Sequence, residues 1–134
     1  MNLKPRRAST GAPWEAKVGY CRAVRCGPHI WVSGSVAVDE NGALVGSGDS
    51  EAQALQCFKV IEKGLVQLGA DLSHVVRTRM YVTDIQRDSG PVGRAHQALF
   101  ANHPPASTMV QIAALMDPDM RVEIEAEAFL PEAD

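Results

Sequence analysis

Polar and apolar residues alternate without a break over residues 121–128. Successive side chains of a strand point to opposite faces, so Val122, Ile124, Ala126 and Ala128 make an apolar face while Glu123, Glu125 and Glu127 share the other. The same period runs through residues 75–83, where Val76, Thr78, Met80 and Val82 oppose Arg77, Arg79 and Tyr81. It recurs over residues 30–38, with Ile30 and Val32 on one face and Trp31 and Ser33 on the other. Residues 20–26 and 107–113 read as two further strands. In the second of these, Ser107 and Met109 take one parity and Thr108, Val110 and Ile112 the other.

Two stretches change to helical spacing. Leu55, Phe58, Ile61, Leu65 and Leu68 form one apolar stripe, opened by a capping-box pattern at Ser50 and Gln53 and closed by Gly69. A second helix is predicted to start near Pro91, a favourable first-turn residue, with Val92, Ala95, Leu99 and Phe100 on one side. Turns fall at residues 27–29, at Asn41-Gly42 and at Asp117-Pro118.

The order ββαβαββ predicts an α+β fold of two layers, a mixed sheet with both helices on one face. A chain of 134 residues suits one domain. The expected division is a loose N-terminal segment over residues 1–17 and a single domain over residues 18–131. If the apolar parity of every strand faces the helices, the opposite face collects Trp31, Ser33, Arg77, Arg79, Tyr81, Met109, Gln111 and the three glutamates. Acids alone would suit a solvated face. Two aromatics and a methionine among them favour a subunit interface.

Charge narrows the partners. A net charge of −3 argues against a nucleic-acid binder, which presents a basic patch. No apolar run approaches the roughly 20 residues that span a bilayer, and the basic start is followed by no signal-like apolar run. Cys21, Cys26 and Cys57 have no zinc-site spacing and read as reduced thiols of a cytoplasmic protein. The four histidines make no metal-ligand pattern, so no metal is expected.

Three segments together resemble a known family: the VSG at residues 32–34, the GADLSHVVRTRMYVTD that follows the first helix, and the VEIEAEA that comes after PPAST. They resemble the Rid family, also called YjgF-like or endoribonuclease L-PSP, in the same order over residues 18–129. The resemblance implies a chorismate-mutase-like homotrimer, with the sheets lining a central barrel and a small-ligand cleft between each pair of subunits. It also implies hydrolysis of 2-imino or enamine acids to 2-keto acids and ammonia, without a metal or organic cofactor. The expected partners are two further copies of the chain and a small metabolite, carboxylate-bearing or related.

The resemblance assigns roles residue by residue. Glu123 falls where the family positions the attacking water, and Ser33 and Tyr20 fall on cleft positions. The arginine that grips the substrate carboxylate in the family's PAR-S-C segment is Ser107 here, and the cysteine after it is Met109. A helix asparagine of the family falls at or near Gly93. The carboxylate clamp is therefore absent, and its loss would weaken binding by roughly a hundredfold. Arg22, Arg79 and Arg94 are the candidates to replace it. Arg79 is open to two readings, ligand contact or cross-strand partner of the glutamates, and Arg94 to ligand contact or a solvated helix charge. His96, beside the apolar stripe of the second helix, reads as a partly buried packing residue, and Cys21 and Cys57 as packing residues too.

Overall fold

The computed structural model describes residues 3–131. Its strands are β1 (Arg6–Ala8), β2 (Ala23–Cys26), β3 (His29–Ser35), β4 (Val75–Val82), β5 (Ala106–Gln111) and β6 (Val122–Phe129). Its helices are α1 (Pro13–Val18), α2 (Ser50–Gln67) and α3 (Ile85–Phe100), with a single 3₁₀ turn at Leu72–His74. One sheet holds all six strands in the order β1-β2-β3-β6-β4-β5. Only β4 and β5 run parallel, and every other pair is antiparallel. The expected ββαβαββ order runs from β2 to β6, and α2 and α3 cover one face of the sheet. The architecture is α+β with two layers, as the periodicity predicts.

The core lies between that face and the helices. Ile30 and Val32 of β3, Met80 and Val82 of β4, and Val122, Ile124 and Ala126 of β6 meet Phe58, Ile61 and Leu65 of α2 and Val92, Ala95 and Phe100 of α3. Phe58, Ile61 and Leu65 are all but inaccessible to solvent, and burying each side chain stabilises the fold by about 2 kcal/mol.

Several expectations need correction. Residues 6–8 form the edge strand β1 and residues 13–18 the helix α1, so the segment expected to be loose carries regular structure. The signal missed was Glu15, whose carboxylate is buried at 5% exposure and gathers its own neighbours. Helix α2 is capped by Asp49, whose side chain accepts from the Ala52 N–H. Ser50 is the first helical residue rather than the cap. Gln53 is fully buried and ties loops together, donating to the Gly46 and Asp119 carbonyls and accepting from the Arg121 N–H. Helix α3 starts at Ile85 behind the Asp84 cap, which leaves Pro91 inside it. An aspartate cap satisfies orphan N–H groups that proline does not have, and here the cap sets the start. A bulge between Val75 and Arg77 turns Val76 out into solvent, against its expected place with Thr78 and Met80.

Candidate functional site

β6 keeps its alternation: Val122, Ile124, Ala126 and Ala128 are buried, and the glutamates lie on the opposite face. On that face Glu123 stands opposite Tyr81, Glu125 opposite Arg79, and Glu127 opposite Arg77 and Trp31. Two of the acids are held there by their neighbours. Arg79 Nη1 lies 2.8 Å from Glu127 Oε2, and the Tyr81 hydroxyl donates to Glu125. That hydrogen bond to Glu125, with burial behind it, pushes the Tyr81 phenol up from its ordinary range. Arg79 is thus a cross-strand partner of the glutamates.

Glu123 differs from the other two. Burial first, and the neighbouring Glu125 second, push its carboxyl up from the ordinary carboxylate range, while the positive charge of Arg22 acts in the opposite sense. Its side chain lies over Gly34, where β3 bulges: three steps from Val32 to Ser35 match two on β6. A Cβ on Gly34 would sit 3.0 Å from Glu123 Cδ and closer still to Oε2. The glycine therefore makes the space in which this carboxylate rests.

Around the bulge, β2 and the residues before it bring three more groups together. Arg22 is buried, with Nη1 donating to the Gly34 carbonyl at 2.7 Å and to Ser35 Oγ at 2.9 Å. Its Nη2 lies 3.5 Å from the Tyr20 hydroxyl, and its Cζ is 5.6 Å from the centre of the Tyr20 ring. Ser33 Oγ donates to the Cys21 carbonyl at 2.7 Å, which ties β3 to the residue before Arg22. Tyr20, Arg22, Ser33, Gly34 and Glu123 thus make one cluster. Of the three candidate arginines, Arg22 is the one beside Glu123.

Arg22 is not a free cation. Its Nε lies 3.7 Å from Glu15 Oε2 of α1, too long for a hydrogen bond, and it is buried without another partner. Burial raises the Glu15 carboxyl, but hydrogen bonds from Thr10 and Ser9 and the charge of Arg22 hold it below its ordinary value. Thr10 Oγ1 donates to Glu15 Oε2 at 2.6 Å and Ser9 Oγ to Oε1 at 2.7 Å. The cluster holds a compensated ion pair next to one half-buried acid.

Ser107 and Met109 lie elsewhere. The parallel pairing sets Ser107 beside Thr78 and Met109 beside Met80, both of which face the helices. Ser107 and Met109 are therefore on the helix side of β5, and the expectation that they share the glutamate face is wrong by one residue of register. Thr108 takes the outer position instead, accepting from Arg77 Nη2 at 2.7 Å. Ser107 remains exposed, and its Oγ is 2.8 Å from Thr78 Oγ1, which is 2.9 Å from His96 Nε2. The His96 ring packs against Phe100 at 4.7 Å and Phe58 at 5.8 Å, and burial pushes its pKa down. Next to it is a hollow of about 220 Å³, walled by Met80, Gly93, Gln97, Phe100, Ala101 and Pro104.

Arg94 belongs to neither group. Its Nε pairs with Glu51 Oε1 at 3.0 Å, at a separate polar hollow where the N-terminal ends of α2 and α3 meet. Cys57 is buried, and burial together with the charge of Glu123 pushes its thiol up, which suits packing rather than attack. Among the described residues, no three His, Cys, Asp or Glu side chains converge as a metal-ligand set. Nor is any helix there long and apolar enough to cross a membrane.

Comparison with known proteins places this geometry. The profile of the family described as endoribonuclease L-PSP matches residues 10–130. The human 2-iminobutanoate/2-iminopropanoate deaminase is 32% identical over 129 residues, 96% of this chain and 93% of that one. The rat protein of the same name is 36% identical over 110 residues, 81% of this chain and 78% of its own. A crystal structure from Mycobacterium tuberculosis, described as a member of the YjgF/YER057c/UK114 family, superposes with a TM-score of 0.84 at 42% identity, covering 95% of this chain and all of that one. The fold that carries Glu123 is thus that of an established group: the chain belongs to the endoribonuclease L-PSP family, the YjgF-like or Rid proteins.

Proposed function

We propose that the protein is a homotrimer that hydrolyses an imine or enamine in clefts shared between subunits. The observation that carries the reading is Glu123, a carboxylate half-buried over Gly34 with its proton held more tightly than in water. Water adding to the C=N carbon must lose a proton as the C–O bond forms, and the imine nitrogen must gain one. A carboxyl whose pKa is raised suits both transfers. The carbinolamine then expels ammonia and leaves a carbonyl, so imine and water become carbonyl and ammonia. The human and rat relatives named as 2-iminobutanoate/2-iminopropanoate deaminases support this reaction class.

One chain does not complete the cleft. Ser107 and Met109 lie two strands away from Glu123 and on the other face of the sheet. In a closed ring, the free edge of β5 and the neighbouring end of α3 from one subunit come to the Tyr20, Ser33 and Glu123 cluster of the next. Arg79 and Arg94 drop out of the substrate contacts in this reading, since each already has a glutamate partner. A second reading, a trimer that binds a metabolite without turning it over, is favoured by Ser107, which offers no charge to hold a carboxylate. Ribonuclease chemistry is disfavoured by the net charge of −3.

The test is ammonia release from imines made in place by an amino-acid oxidase or an amine oxidase. Acceleration by the native protein that disappears in Glu123→Gln supports hydrolysis. If no imine of either origin is hydrolysed faster than in buffer, the binding reading replaces it.

A further inference from the structure

The hollow beside His96 has a composition that selects its occupant. Its walls at Met80, Phe100, Ala101 and Pro104 are largely apolar; the polar side chains lining it are Gln97 and His96, and from His96 Nε2 a hydrogen-bonded chain runs on to Thr78 Oγ1 and Ser107 Oγ. Thr78 is fully buried, so its hydroxyl has no water to turn to and is committed to these two partners. Ser107, at the exposed end of the chain, has hydrogen-bonding capacity left for a ligand.

Among the described residues, no lysine or arginine lines this hollow. The arginines nearest in the fold are engaged away from it: Arg77 with Thr108 and Arg79 with Glu127 on the opposite face of the sheet, and Arg94 with Glu51 of α2. The other half of the cleft has no charge to spare either, because Arg22 is compensated by Glu15. A carboxylate moved into such surroundings would lose its hydration and gain only neutral hydrogen bonds. A neutral amide, ketone or alcohol loses much less and can use both the hydroxyl chain and the apolar walls.

We propose that this hollow seats the non-reacting end of the ligand, and that this end is a small uncharged group carrying one hydrogen-bonding atom rather than a carboxylate. The substrate class is then an imine or enamine without an acid group, in place of the 2-imino acids that the relatives are named for. A volume of about 220 Å³ is about seven times the share of one water in the liquid, room for a group of a few heavy atoms. The proposal rests on the reading that the shared cleft is the ligand site.

Two probes of equal chain length test it: butanamide, which is neutral, and 2-oxobutanoate, which is an anion. Each is titrated into the assembled protein at millimolar concentration while the His96 ring and Met80 methyl resonances are followed. Saturable shifts of both resonances with butanamide, with 2-oxobutanoate weaker by about tenfold or more, are expected. Ser107→Ala, on an exposed strand position, should weaken butanamide by about fivefold. Ser107→Arg should reverse the preference. The proposal is overturned if 2-oxobutanoate binds as tightly as butanamide, or if butanamide leaves the His96 resonance unmoved. Glu123→Gln separates this from the proposed reaction, since it should abolish hydrolysis and leave the butanamide shifts intact. A native protein that binds butanamide at His96 but hydrolyses no imine counts against the reaction alone.

Discussion

Gly34 has no side chain because Glu123 occupies the place where one would be. Gly34→Ala puts a methyl within 3.0 Å of Glu123 Cδ. The clash is with the far end of a flexible side chain, so the strand can survive while the carboxylate swings away. Imine hydrolysis should fall by about a hundredfold, since displacing a positioned group by an ångström costs that much, while Tm changes little. Equal losses of activity and stability would mean that the glycine serves the bulge alone. Glu123 itself works against the fold. Its folded carboxyl lies above the ordinary value of 4.5, so the folded state binds this proton more tightly than the unfolded one. Stability is therefore lost as pH rises from that value until the folded group has ionised. Glu123→Gln should raise Tm by a few degrees at pH 7, with no difference from the native protein in acid below 4.5. Thermal melts across that range that run parallel throughout would show that the acid is not strained.

At the scale of elements, the parts legible in the sequence are those with one buried and one unburied face. β6 alternates because each apolar residue meets the helices, and α2 shows its stripe for the same reason. β5 had no such signal. It pairs with β4 alone, at the sheet's edge, and most of its side chains are exposed, Val110 at 41% among them. With little burial to set the phase, Val110 and Ile112 looked like the core side, and the slip carried Ser107 and Met109 to the wrong face. The N-terminal elements were illegible for a different reason. A six-residue helix has no stripe to read, and what holds α1 is the buried contact between Glu15 and Arg22. Arg22→Met should therefore destabilise the protein by about 3 kcal/mol, because Glu15 is left buried without its cation. Adding Glu15→Gln should recover most of that loss. Urea denaturation of the two single variants and the double variant would show it, and strictly additive costs would mean that the pair is not coupled.

For the whole molecule, the question is what covers the outer face of the sheet. The helices take one face, and the other presents Trp31 at 45% exposure and Val110 at 41% beside Arg79, Tyr81 and the glutamates. Apolar surface of this kind, mixed with cross-strand ion pairs, suits contact with further copies of the chain. Sedimentation equilibrium at micromolar concentration is expected to give three times the chain mass of 14.4 kDa. Arg79→Glu sets a third acid beside Glu125 and Glu127 in each subunit. Within one chain the pair it breaks is half-exposed and weak, so the variant should still fold. Across an interface the same change brings several uncompensated acids together, and the trimer should dissociate. Circular dichroism separates the two effects, and the assay then links them to function. If the clefts are shared, activity per chain should fall with the trimer fraction on dilution, because a lone subunit holds Glu123 and Ser107 on opposite faces of one sheet. A folded, monomeric Arg79→Glu protein that hydrolyses imines at the native rate would show that one chain carries the whole site.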